Sequence, residues 1–218
     1  MTWKKKLSKN CNLYLILDAE VHAYDRLIEI AKTALQNGVD IIQLRDKRGS
    51  AKDMIGCVKK ILRICKGRIP LIINDRIDMA LATNAAGVHL GQDDISIKAA
   101  RNILGSKYLI GASCQSLKQA FKAQREGASY IGFGSVFKTL TKPMRKPMDL
   151  SWLSAVERKM RIPVFAIGGI NRRIMDELSV RGVRRIAVCR DICLAQNPGS
   201  AVREFKKALE SCENKLRG

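Results

Sequence analysis

Residues 43 to 47 read Gln-Leu-Arg-Asp-Lys, and alternation along an extended segment puts Gln43, Arg45 and Lys47 on one face. An amide and two cations in that order suit an anion. A structural ion pair between Arg45 and Asp46, or another acid, is the plainer reading, and the spacing leaves both open. Further on, Asn74-Asp75-Arg76 and Gln92-Asp93-Asp94 bring acids and amides from two separate segments. Hard oxygen ligands of this kind are what magnesium accepts, together with water and substrate phosphates. The plainer alternatives are a helix cap at Asp75 with Asp78 three positions on, and a solvated turn at Asp93 and Asp94 before a helix capped at Ser96. Ser113 has a hydroxyl to give a phosphate, while Ser116 is placed to cap a helix. The long polar stretch 135–143 carries Lys138, Thr139, Leu140, Thr141 and Lys142, which suit a phosphate; Lys142, Arg145 and Lys146 also read as surface charge. Gly168-Gly169 lets a backbone approach a phosphate, or simply makes a tight turn.

The composition bounds the partners. With 40 Lys+Arg against 20 Asp+Glu, the 218 residues carry a formal charge of +20. The basic residues are spread over the whole chain and aromatic residues are only 5%, so nucleic acid is not the expected partner and small phosphorylated substrates are. At 46% apolar the chain is globular, not disordered. No apolar run approaches the roughly 18 residues of a membrane span. Leu13 to Leu17 follows Lys4-Lys5-Lys6 as in a signal peptide, but it is too short and lacks a small-residue cleavage site; a cytoplasmic location is expected. Seven cysteines without a Cys-x-x-Cys, and only two histidines, speak against zinc and against a disulfide framework.

Short apolar or β-branched runs at 13–17, 40–44, 69–73, 86–90, 108–111, 129–133, 163–167 and 185–188 alternate with segments of helical spacing. Leu27, Ile30, Ala31, Ala34 and Leu35 form one such stripe, and Met54, Ile55, Val58, Ile61, Leu62 and Cys65 another. Further helices are expected near 77–84, 96–103, 116–126, 150–159, 172–180 and 199–212. Eight strand–helix units predict a single-domain α/β fold, a (β/α)8 TIM barrel over 13–212, with a short basic tail at 1–12 and a C-terminal tail at 213–218. An open doubly wound sheet is the competing fold, but the first strand–helix turn has no glycine-rich phosphate loop. Barrel strands are covered on both faces, so Ile42 and Leu44 should face the helices while Gln43 and Arg45 point into the barrel mouth. All the chemistry-bearing residues above then fall at strand ends, where this fold puts its sites.

Taken in order, QLRDK at 43–47, NDRID at 74–78, GVHLGQDD at 87–94, IGAS at 110–113, YIGFGSVF at 130–137, TLTK at 139–142 and AIGGI at 166–170 resemble the thiamine-phosphate synthase family, from Leu13 to about Leu209. That family joins a hydroxymethylpyrimidine diphosphate to a carboxylated thiazole phosphate, with release of pyrophosphate and CO2. The resemblance implies that Gln43, Leu44, Arg45, Asp46, Lys47 and Asn74 line the pyrimidine diphosphate site. Ser113 and Lys142 would contact its pyrimidine or diphosphate end. Asp75 and Asp94 would hold Mg2+. Thr139, Leu140, Thr141 and Gly169, with Cys189 and Arg190 of the eighth loop, would hold the thiazole phosphate. Arg45, Lys47 and Lys142 would be the catalytic cations, neutralising the leaving diphosphate while a pyrimidine-stabilised carbocation is trapped by the thiazole nitrogen. Such chemistry needs no protein nucleophile, and no Ser-His or Cys-His arrangement is evident.

Two departures stand out. Cys114-Gln115 replaces the family's Thr-His, and Cys189-Arg190 its Val-Ser. Arg190 either binds the phosphate through paired hydrogen bonds, blocks the site, or points to solvent. The rival readings are a thiazole tautomerase on the same barrel and a non-catalytic phosphate- or RNA-binding barrel. A homo-oligomer stays open.

Overall fold

The structure is a computed structural model that describes residues 3–140 and 146–215. Its eight strands are β1 (Leu13–Asp18), β2 (Ile41–Arg45), β3 (Leu71–Asn74), β4 (Gly87–Leu90), β5 (Leu109–Cys114), β6 (Tyr130–Phe133), β7 (Val164–Ile167) and β8 (Ile186–Val188). They pair in parallel in chain order, and β8 returns to β1 to close the barrel. The helices are α1 (Trp3–Asn10), α2 (Tyr24–Gln36), α3 (Ala51–Cys65), α4 (Ile77–Thr83), α5 (Ile97–Leu104), α6 (Leu117–Arg125), α7 (Ser151–Lys159), α8 (Met175–Val180), α9 (Arg190–Cys193) and α10 (Pro198–Lys215), with a 3₁₀ turn at Arg172–Ile174. Among the described residues no helix is long and apolar enough to cross a membrane.

Alternation along the strands divides the core in two. Leu13, Leu15 and Leu17 of β1, and Ile42 and Leu44 of β2, pack outward against the apolar stripes of α2 and α3. Tyr14, Ile16, Ile41, Ile72, Leu109, Tyr130 and Phe165 point inward and fill the barrel. Local chemistry sets the helix starts: Ser50, Ser96 and Ser116 each accept a hydrogen bond from the backbone N–H three residues on, at 3.1, 3.2 and 3.3 Å. Ser96 and Ser116 are thus the caps that the sequence predicts.

Two expectations are corrected, and one plainer alternative, the cap at Asp75, falls away. Residues 3–10 are not a tail but the helix α1, whose Leu7 is buried with Cys11 beneath the inward-facing Tyr14 and Ile41. Trp3, Leu7 and Cys11 stand at i, i+4 and i+8, so an apolar edge was present in the basic segment, and burying it closes the end of the barrel opposite the strand termini. The last helix does not stop at 212 but runs to Lys215. Asp75 is not a helix cap: it has a left-handed backbone with φ 60°, and α4 begins after Arg76 without a side-chain cap.

Candidate active site

Register places the end of β1 beside the end of β2, with Asp18 opposite Arg45. Arg45 Nη1 donates to Asp18 Oδ1 at 2.8 Å and Oδ2 at 2.9 Å, and to Glu20 Oε2 at 3.2 Å. Burial opposes the charge on Arg45, but the two acids outweigh it and hold the guanidinium above its usual value. The structural partners of Arg45 are therefore Asp18 and Glu20, not Asp46. Asp46 instead accepts from the Tyr24 hydroxyl and from the backbone N–H groups of Arg48 and Gly49 at 2.9 and 2.8 Å, fixing the loop that carries Lys47. Burial would raise the Asp46 carboxyl, yet these hydrogen bonds and the Arg45 charge bring it below the ordinary carboxylate range. Leu44 faces the helices. Neither Leu44 nor Asp46 lines the cavity at the strand ends, whereas Gln43, Arg45, Asn74 and Ser113 do.

Lys47, Asp75 and Asp94 do not line the cavity either; Lys47 Nζ lies 3.1 Å from Asp75 Oδ2. Burial, then the neighbouring Asp94 carboxyl, raises Asp75, and Lys47 pulls it down. Asp94 Oδ2 also accepts from the Gly91 N–H at 2.7 Å. The two acids that the resemblance assigns to one metal thus come near each other from two loops, with a cation beside them.

The opposite side of the cavity is built from the loops after β6, β7 and β8, and Lys138, Thr139, Leu140, Gly169, Cys189 and Arg190 line it. The loop after β6 runs along the one after β7, since the N–H groups of Val136 and Phe137 donate to the carbonyls of Ile167 and Gly168, both at 2.9 Å. Gly169 has φ +67°, and a Cβ there would stand 2.5 Å from the Lys138 carbonyl oxygen, so this crossing requires glycine. Arg190 opens α9, and its neighbour Asp191 is engaged by Arg172 Nε at 2.9 Å. Thr141 and Lys142 lie outside the described residues.

Three buried side-chain nitrogens have no hydrogen-bond partner among the described residues: Arg45 Nε, Asn74 Nδ2 and Arg190 Nε. All three residues line this one cavity. A buried donor left unmade costs about 1–3 kcal/mol, more on a charged group. Their convergence leaves unmet donors at two places in the cavity, one at Arg45 and Asn74 and one at Arg190.

The floor between them is aromatic and polar at once. The rings of Tyr14, Tyr130 and Phe165 meet edge to face, with centroids 5.5 to 5.8 Å apart. The Tyr14 and Tyr130 hydroxyls are 2.9 Å apart, and the chain of contacts continues to Gln43 on one side and to His89 and Ser113 on the other. Gly111 makes room for it: a Cβ there would lie 2.2 Å from Tyr130 Cζ and 2.5 Å from His89 Nδ1. Sequence reasoning assigned no role to Asp18, Glu20, Tyr14, Tyr130 or His89. For Asp18 a signal existed, an acid ending a strand adjacent to one ending in Arg45.

A family model described as thiamine monophosphate synthase matches residues 13–192. The chain belongs to that family. Within the thiamine monophosphate synthase family, it is 40% identical over 208 residues to a protein of Synechococcus sp. (strain WH7803) named thiamine-phosphate synthase, covering 94% of this chain and 59% of that relative. The chain thus spans about three fifths of that relative's length. It is 37% identical over 204 residues to the thiamine-phosphate synthase of Shouchella clausii (strain KSM-K16), covering 93% of this chain and 98% of that one. A solved structure titled thiamine phosphate pyrophosphorylase from Pyrococcus furiosus superposes with a TM-score of 0.85 at 33% identity, covering 96% of this chain and 98% of that one.

Proposed function

We propose that this member of the thiamine monophosphate synthase family couples 4-amino-5-hydroxymethyl-2-methylpyrimidine diphosphate to the thiazole phosphate, releasing pyrophosphate. The observation that carries the reading is the pair of anion-seeking ends in one cavity, each with an orphaned buried donor. Arg45, Asn74 and Lys47 would bind the diphosphate. Gln43 and Ser113 would hold the pyrimidine, and Lys142, beyond the described residues, belongs to the same assignment. The thiazole phosphate would lie against Thr139, Leu140, Thr141, Gly169, Cys189 and Arg190. Among the three fates open to Arg190, the buried orphan Nε at the cavity wall favours phosphate binding.

The residues present fit a magnesium ion. Among the described residues no group of three or more His, Cys, Asp or Glu could hold a metal. Magnesium is usually held by one or two carboxylates, with phosphate and water completing its shell, and the mutually repelling pair Asp75 and Asp94 offers that. Magnesium bound there supplies charge neutralisation to the departing diphosphate. Arg45 and Lys47 share that work from the protein side, and the aromatic floor excludes water beneath the pyrimidine. As the C–O bond breaks, its electron pair leaves with the diphosphate, and the thiazole nitrogen then forms the new C–N bond.

A thiazole tautomerase has no use for a diphosphate-binding acid pair, and the Lys47–Asp75–Asp94 cluster favours the synthase. The test is incubation with both substrates and magnesium, with and without chelator. Equimolar thiamine phosphate and pyrophosphate, lost on chelation, support the reading. Isomerisation of the thiazole without coupling, or retention on nucleic acid without turnover, would replace it.

A further inference from the structure

The buried polar chain on the cavity floor has a direction, set by one amide. Gln43 Nε2 donates to Tyr14 Oη at 2.7 Å, and a side-chain NH2 can only donate. The Tyr14 hydroxyl proton must then go to its remaining partner among the described residues, Tyr130 Oη at 2.9 Å. Tyr130 passes its own proton to His89 Nδ1, 3.2 Å away. With Nδ1 accepting, the neutral imidazole carries its proton on Nε2 and donates it to Ser113 Oγ at 3.0 Å. Burial raises both phenols far above their ordinary range, so they stay protonated and able to relay.

We infer that this relay fixes what the cavity presents to a ligand: an acceptor, Oε1, at Gln43 and a donor, the hydroxyl proton, at Ser113. Gln43 and Ser113 line the cavity, as do Tyr14 and His89, and Tyr130 behind them completes the link, so Tyr14, Tyr130 and His89 act as positioning residues for the two ends. The inference rests on the synthase reading for its ligand. An aminopyrimidine has an exocyclic amino group that only donates and ring nitrogens that only accept. It therefore matches this polarity, and the 4-oxo analogue, with a carbonyl and a ring N–H, opposes it. The opposite orientation of the Gln43 amide would reverse every bond in the chain and turn the Ser113 proton back onto His89.

The protein has two histidines, so 15N-histidine labelling, with His22→Asn for assignment, resolves the His89 tautomer. At pH 8.5, well above the ordinary imidazole pKa of about 6.5, the wild type should show the Nε2–H form; the Nδ1–H form overturns the inference. Gln43→Glu, which can only accept, should switch His89 to Nδ1–H, and an unchanged tautomer would deny the amide its role. Calorimetry with 4-amino-5-hydroxymethyl-2-methylpyrimidine and its 4-oxo analogue should give at least about tenfold preference for the amino compound, the worth of one buried hydrogen bond. Tyr130→Phe cuts the relay, and should erase that preference and raise KM for the pyrimidine diphosphate about tenfold without moving that for the thiazole. Equal preference in wild type and variant would count against the relay. Should Tyr130→Phe not fold, the tautomers of wild type and Gln43→Glu decide. A reversed tautomer in an enzyme that still couples its substrates removes the polarity alone, whereas the expected tautomer without coupling removes the synthase reading.

Discussion

Asp18 is fully buried and holds Arg45 through both carboxylate oxygens, so Asp18→Asn is the most direct probe of how the barrel mouth stores its positive charge. Removing one member of a buried ion pair costs roughly 3–5 kcal/mol, because it strands the other charge. Here Glu20 still lies 3.2 Å from Arg45, which argues for the lower end, about 3 kcal/mol. With a urea m-value of about 2 kcal/mol/M for a domain of this size, the unfolding midpoint should fall by roughly 1.5 M. The stranded guanidinium then has more to gain from an anion than the neutralised one. Saturating inorganic pyrophosphate, at about 100 times its Kd, stabilises any protein that binds it only when folded by about 2.7 kcal/mol. At one fixed pyrophosphate concentration the gain should be larger in Asp18→Asn than in the wild type, because the variant binds the anion more tightly. Urea titrations of both proteins, with and without pyrophosphate at constant magnesium, measure this. A variant as stable as the wild type, or one that gains no more than the wild type from pyrophosphate, would show that Arg45 does not wait for an anion.

Asp75→Ala should abolish coupling, with a loss of more than about 100-fold in kcat/KM at physiological magnesium, while circular dichroism and the thermal midpoint stay near wild type; near-normal turnover would remove Asp75 from the metal site. Arg190→Ala should raise KM for the thiazole phosphate by about 10- to 100-fold, the worth of a charge-assisted hydrogen bond of roughly 1.5–3 kcal/mol. Equal effects on both substrates would reject that assignment. Leu7→Ala, at a residue 1% exposed in α1, should cost about 2–5 kcal/mol in urea unfolding, since the cavity opens under the closed end of the barrel; a loss under about 0.5 kcal/mol would mean a surface position.

The strand ends were legible because period-2 alternation and covered sheets leave Gln43 and Arg45 one place to point, and both residues line the cavity. What the sequence hides is closure. Asp18 stands 27 residues before Arg45, and only the parallel pairing of β1 with β2 makes them neighbours. Tyr14 and Tyr130 sit 116 residues apart inside strands that read as apolar filler, yet their hydroxyls meet across the barrel. Asp75 reads as a cap because Asp78 follows at capping-box spacing; the left-handed turn at 75 swings its carboxyl toward Asp94 and Lys47 instead. In the first two cases the missed partner lies on another strand, so linear spacing does not pair the residues; only the acid ending β1 beside the strand that ends in Arg45 left a trace. The same closure would keep the two proposed anion sites of one cavity apart. Arg45 and Asn74 come from β2 and β3, and Arg190 from the end of β8, with β1 between them. Asp18 on that intervening strand neutralises one guanidinium and leaves the other to be met from the cavity, so the two proposed phosphate sites would differ in charge as well as in place.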